Sequence, residues 1–115
     1  MEQLNRIELR GVVGFTRLQS FNDARMLSFS LATNHAYKDR DGNAVIDTSW
    51  HNVVAWEGRG IQDLDKITKG SKVYVQGRIR YQKYTGNDGI ERYSTEVFAN
   101  RLVIIEDPEP LQYEM

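Results

Sequence analysis

Residues 71–84, SKVYVQGRIRYQKY, change character at every step. Val73, Val75, Gly77 and Ile79 fall on one parity; Tyr74, Gln76, Arg78, Arg80 and Tyr84 fall on the other. Only an extended chain turns alternate side chains to opposite faces. The same alternation returns in LNRIELRGVV at 4–13, MLSFSLAT at 26–33, the stretch 47–56, and RYSTEVFA and LVII further on. A helix needs apolar positions three and four apart. One short window, IQDLDKITKG, has them, with Ile61, Leu64 and Ile67 in step and Gly70 as its terminator. A chain patterned this way is committed to β-sheet.

Turn signals divide the strands. KDRDGN, around Asp41-Gly42, and TGNDG, at Asn87 to Gly89, predict two hairpins. Residues 15–25 are mixed in character and loop-like. The order is about five strands in two hairpin-linked groups, with one short helix between the third and fourth. That is the pattern of the OB-fold, an all-β, five-stranded Greek-key barrel. A sandwich would use more strands and has no need of the helix. A length of 115 residues suits one domain. Pro108 and Pro110 both lie in EDPEPLQYEM, so the packed domain is expected over 1–105, with 106–115 a short, acidic, flexible tail.

Composition excludes several classes. With no cysteine, disulfide scaffolds and cysteine metal sites are ruled out. No apolar run approaches the ~20 residues of a membrane span, and MEQLNRIELRG lacks the apolar core of a signal peptide. The expected location is the cytoplasm. The formal net charge of −1 conceals an uneven distribution. Residues 66–92 carry Lys66, Lys69, Lys72, Arg78, Arg80, Lys83 and Arg92 against Asp88 and Glu91, whereas the final stretch from 93 is acidic.

The two tryptophans, Trp50 and Trp56, share one strand and, being six residues apart, one face of it. Tryptophan is ordinarily a core residue, and filling the barrel is the simplest role for both. Three features weigh against it. Val53 and Ala55, on the opposite face, already supply core residues. Asn52 stands between the tryptophans and would need a buried partner. Tyr37 and Tyr84, on the flanking hairpins, each adjoin a lysine, Lys38 and Lys83. Aromatic plates stack bases without reading sequence, at ~1–3 kcal/mol each, while cations neutralise phosphates. Arg78 and Arg80 share a strand face with Tyr84; alone they would suit a solvated sheet face.

Enzymatic constellations are poor. His35 and His51 are too few for a metal site without cysteine. Asp39, Asp41 and Gly42 miscount as a calcium loop, having glycine at its fourth position and Trp50 at its twelfth. There is no phosphate-binding GxxxxGK or GxGxxG. Neither enzyme activity, a cofactor nor a metal is expected. His51 points away from Trp50's face, which suits packing or a subunit interface.

NRIELRGVVG, FSLATN, YKDRDGNAVIDTSWHNVVAW, KGSKVYVQGRIR and KYTGNDGIERYSTEV, in this order and spacing, cover nearly all of residues 4–105. Together they resemble the bacterial single-stranded DNA-binding protein family. The resemblance implies an OB-fold, a homo-tetramer as the usual assembly, and sequence-independent binding of single-stranded DNA in replication, recombination and repair. It implies base stacking on Tyr37, Trp50, Trp56 and Tyr84, and phosphate contacts from Arg6, Lys38, Lys69, Arg80, Lys83 and Arg92. It also links His51 to subunit contacts. Tyr37 and Tyr84 stand where the family often has tryptophan, and Asn52 where a basic residue is common. The loop from Phe15 to Arg25 lacks the family's Asp-Pro-Glu pattern. The long Gly-, Pro- and Gln-rich linker with its acidic, Phe-ended tip has no counterpart before Met115. The chain therefore resembles a short variant, and tail-mediated recruitment of repair proteins is not expected. Two rivals share the barrel: a dimeric primosome-type accessory protein of replication restart, and an OB domain that serves as a protein-interaction module.

Overall fold

In the computed structural model the alternating segments form long strands. The structure describes residues 2–105 and the backbone of 113–114. In chain order they are β1 (Ile7–Phe21), β2 (Ala24–Lys38), β3 (Ala44–Trp56), β4 (Lys72–Thr85), β5 (Glu91–Ile104) and the two-residue β6 (Tyr113–Glu114). The sheet order is β1-β4-β5-β3-β2, and β2 returns to β1, so five strands close into the expected OB barrel. Closure leaves no open edge around the ring. β6 lies outside it, parallel to β2 at Ala36 and Tyr37. The rest of the tail expected over 106–115 lies outside the described residues.

One strand takes part in both seams. The first half of β1 pairs with β4, from Ile7↔Gly77 to Val12↔Lys72. Its second half pairs with β2, from Val12↔Ala32 to Phe21↔Ala24, with a register shift between Val13 and Thr16. Such a bulge bends a strand and raises its twist, which lets β1 pass from one neighbour to the other. Gly11 sits at the crossing, where a Cβ would come 2.2 Å from the Ala32 carbonyl oxygen. β3 and β5 close the barrel by a short parallel pairing, Val53↔Val97 and Val54↔Phe98.

Side-chain parity sorts the core on β2, β3 and β4, and a register shift opposite Gln76 and Gly77 switches the inward parity of β5 between Ala99 and Leu102. Val13, Leu27, Phe29, Leu31, Val53, Ala55, Val73, Val75, Val97, Ala99 and Leu102 are buried inside. No polar or charged side chain among the described residues is buried with them. Val54 shares the parity of the tryptophans but is buried, because β5 packs beside it.

Two expectations need correction. The helix between the third and fourth strands is a single 3-10 turn, Leu64–Lys66. The segment is tethered upstream, where Ile61 bridges Leu102 and the Gln62 N–H donates to the Leu102 carbonyl (2.9 Å). Downstream, the Gly70 N–H donates to the Val13 carbonyl (2.8 Å). Between these ties the Asp63 carboxylate accepts from the Asp65 N–H, and Leu64 and Ile67 turn into the barrel. A spacing of three suits a 3-10 turn as well as an α-helix. Residues 15–25 are not a loop either. They continue β1 and β2 as a ladder to a two-residue turn at Asn22 and Asp23.

Candidate nucleic-acid interface

Pairing register decides which side chains share the barrel's outward face. Across β2 and β3, Trp50 stands opposite Ala32, Asn52 opposite Ser30, and Trp56 opposite Met26. Val54↔Phe98 carries that face onto β5, and Arg78↔Phe98, Arg80↔Glu96 and Tyr84↔Arg92 carry it onto β4. Residues remote in sequence thus line one continuous outward surface: Trp56, Asn52 and Trp50, then Phe98, then Arg78, Arg80 and Tyr84. Trp50 is 62% exposed and Tyr84 48%. Trp56 is half-buried and packs on Phe21, ring centroids 5.4 Å apart and tilted by 44°.

The remaining predicted stacking residue lies apart. Tyr37 pairs with Val45 in an unbroken register, so it faces the side opposite Trp50. There it stacks on His35, centroids 5.9 Å apart. Lys83 is separated from Tyr84 in the same way; it pairs with Tyr93 and faces the side that carries exposed Tyr81 and Tyr93. The four rings therefore occupy both faces of the molecule's hairpins. As predicted, His51 is on the core-side parity, half-buried, with Nε2 2.8 Å from Thr33 Oγ1.

The cations differ in how they are held. Arg6–Glu8 (3.2 Å), Lys83–Glu91 (3.0 Å) and Arg92–Asp88 (2.6 Å) are exposed ion pairs, of a kind worth ~0–1 kcal/mol. A phosphate can replace such a partner at small cost. Arg80 is fastened more firmly. Its Nε donates to Glu96 Oε1 at 2.9 Å, a second bond runs from Nη2, and the guanidinium lies 4.7 Å from the Phe98 ring centroid. The Glu96 side chain is 12% exposed, so Arg80 is its neutralising partner. Lys38 and Lys69 have no ion-pair partner among the described residues. Lys69 is brought beside Trp50 by the Gly70 and Val13 hydrogen bond, in an open groove of about 690 Å³.

Local electrostatics set the edges of this surface. Ile90's N–H, then Arg92, hold the Asp88 carboxyl below its ordinary range at the tip of the β4–β5 hairpin. A hydrogen bond to Glu8 raises the Tyr74 phenol. Arg25 ties the end of β3 to the 3-10 turn through Glu57 (2.9 Å) and Asp65 (3.0 Å), and these hydrogen bonds raise its guanidinium pKa, Glu57 first. Among the described residues no group of three or more His, Asp or Glu is placed to hold a metal ion, and no helix is long and apolar enough to cross a membrane.

Sequence reasoning missed Phe98, Phe15 and Phe21 on this face. Phe98 shares its parity with Arg92 and Glu96, which was a usable signal. Phe15 and Phe21 lay in the stretch taken for a loop, where parity carries no information.

A closed five-stranded barrel with exposed rings and cations on its outward face is an OB barrel. The model of the single-strand binding protein family matches residues 4–105, and the chain belongs to that family. It is 41% identical over 104 residues to the single-stranded DNA-binding protein of Xanthomonas axonopodis pv. citri (strain 306), covering 89% of this chain and 58% of that one. Against single-stranded DNA-binding protein 1 of Xylella fastidiosa (strain 9a5c) it is 32% identical over 108 residues, covering 91% and 79%. A solved structure described as the Plasmodium falciparum SSB complex with ssDNA superposes with a TM-score of 0.75 at 30% identity, covering 92% of this chain and 98% of that one. The chain spans 58% of the length of that Xanthomonas axonopodis relative, and 60% of the length of the single-stranded DNA-binding protein of Xanthomonas campestris pv. campestris, to which it is 40% identical.

Proposed function

We propose that this chain binds single-stranded DNA without sequence preference, as a protein of replication, recombination and repair. The observation that carries the proposal is the continuous outward face from Trp56 and Trp50 through Phe98 to Tyr84, bordered by cations. Flat rings accept any base, so specificity for sequence is low while specificity for an unpaired strand is high: a duplex keeps its base faces stacked internally. Trp50, Tyr84 and Trp56 stack bases on this face, and Tyr37 does so on the other side of the β2–β3 hairpin, which requires the strand to wrap around it. Lys38 and Lys69 meet phosphates directly. Arg6, Lys83 and Arg92 do so by exchanging their carboxylates, and Arg80 by giving up part of its hold on Glu96.

The reading is of a binding protein and not an enzyme, in the cytoplasm, with no cofactor and no metal. Residues 1–105 form the binding domain and 106–115 a short acidic tail. The protein is a homo-tetramer with His51 near a subunit contact. Titration with oligo-dT quenches the fluorescence of Trp50 and Trp56, whereas duplex DNA does not; light scattering on the same samples gives the tetramer mass. Equal affinity for duplex defeats the DNA reading, and a monomeric mass defeats the assembly.

The phosphate assignment has its own test. Lys69→Ala and Lys38→Ala each flatten the log–log salt dependence of oligo-dT binding by ~0.7, the value for one contact to a single strand. An unchanged slope returns that lysine to the solvated surface.

A further inference from the structure

We propose that Phe15 is a base-stacking residue, which forms with Trp50 and Lys69 a seat for one nucleotide of a single strand. The proposal rests on the single-strand reading above and extends it to a residue that the sequence pattern left in a loop.

Phe15 lies within the register shift of β1, between Val13 and Thr16. A bulge re-aims the side chain it carries, and this one turns Phe15 outward, 67% exposed. The bulge is pinned from the neighbouring strand, since the Phe15 N–H donates to Ser30 Oγ at 2.8 Å. A single exposed phenylalanine needs no explanation, but this one is not isolated. It lines the same groove as Trp50 and Lys69, together with Gly14, Thr16 and Ser30. Gly14 keeps that groove open to the indole: a Cβ there would stand 2.7 Å from Trp50 Cζ3.

A second groove adjoins the first at the Phe15 ring. It shares Phe15 and Ser30 with the first and runs past Asn52 and Val54 to Glu96 on β5. Phe15 therefore stands exposed where two grooves of the outward face meet. A strand running from Trp50 toward β5 passes this ring. The ring offers a planar apolar surface of base size, and the Lys69 ammonium in the first groove supplies the phosphate partner. Phenylalanine carries no donor or acceptor, so such a seat adds affinity without reading base identity, as a sequence-tolerant binder requires.

The test compares oligo-dT affinity for the wild-type chain, Phe15→Ala, Phe15→Leu and Phe15→Tyr, with Trp50→Ala as reference. Phe15→Ala weakens binding about 5- to 150-fold, the range for one lost base stack. Phe15→Leu, which keeps apolar bulk without a flat ring, stays with the alanine variant, and Phe15→Tyr stays with wild type. The salt slope is unchanged in all three because no charge is removed. Normal binding by Phe15→Ala beside weakened binding by Trp50→Ala overturns this inference alone. Wild-type affinity in Phe15→Leu also overturns it, because stacking would then be dispensable. Failure of the wild-type chain to bind oligo-dT overturns the single-strand reading itself, and this inference with it.

Discussion

Trp50→Ala weakens oligo-dT binding by about 5- to 150-fold, the loss of one stack worth ~1–3 kcal/mol, and leaves the melting temperature of the free protein nearly unchanged. The two halves of this result have one cause. The indole is 62% exposed and lies on the outward face beside Gly14, so it contributes little to the barrel's interior. Truncating it removes a plate and not a core contact. Trp56 behaves differently, because it is half-buried and packed on Phe21. Trp56→Ala lowers stability as well as affinity. Fluorescence anisotropy with labelled oligo-dT, paired with a thermal melt, separates the two quantities. A Trp50→Ala chain that melts much earlier would mean that the ring is structural and the proposed face wrong.

Leu31→Ala produces the opposite signature. Leu31 is fully buried, in register with Val13 on one side and His51 on the other. Deleting its side chain removes burial and leaves a cavity, at ~2–5 kcal/mol. Against a typical domain stability of ~5–15 kcal/mol, that is a large fraction. Urea unfolding at fixed protein concentration shows the midpoint falling with an unchanged slope. Oligo-dT affinity per folded molecule is retained, since Leu31 faces the interior. A loss under ~1 kcal/mol would contradict the packing described, because no fully buried leucine in a close-packed barrel is that dispensable.

Much of the proposed binding face was legible in the sequence. Trp50 and Trp56 share a face because strand geometry has a period of two, and Val53 and Ala55 behind them are buried for the same reason. Asn52 between the tryptophans marked that face as wet. Tyr37 and Lys83 were not legible in the same way. Their roles came from the family resemblance, and the sequence itself offered only nearness to a lysine or to an aromatic neighbour, whereas adjacent residues in a strand point oppositely. Parity along 71–84 already sets Lys83 on the face opposite to that of Tyr84, but relating the face of Tyr37 to that of Trp50 required the register Tyr37↔Val45 across the turn, which no local signal carries.

The pairing state of the cations was equally hidden. Arg80 and Glu96 are sixteen residues apart and meet because β4 and β5 pair. Phe98 then joins them as the ring beneath the guanidinium. What appeared in sequence as a free arginine is a fastened one, which makes Lys69, on a turn docked against Val13, the better placed partner for a phosphate.

Local chemistry by itself determined that this chain makes strands, where two of its hairpins turn, that Val53 and Ala55 fill the barrel, and that the two tryptophans share the opposite face. Those properties follow from period and propensity, which act over a few residues. Only the tertiary structure decided that 15–25 extends two strands, that the helical window tightens to one 3-10 turn, and that Phe15, Trp50 and Lys69 share a groove. Each depends on barrel closure and on the bulge in β1, and closure is set by contacts between residues too distant along the chain for any local pattern to record.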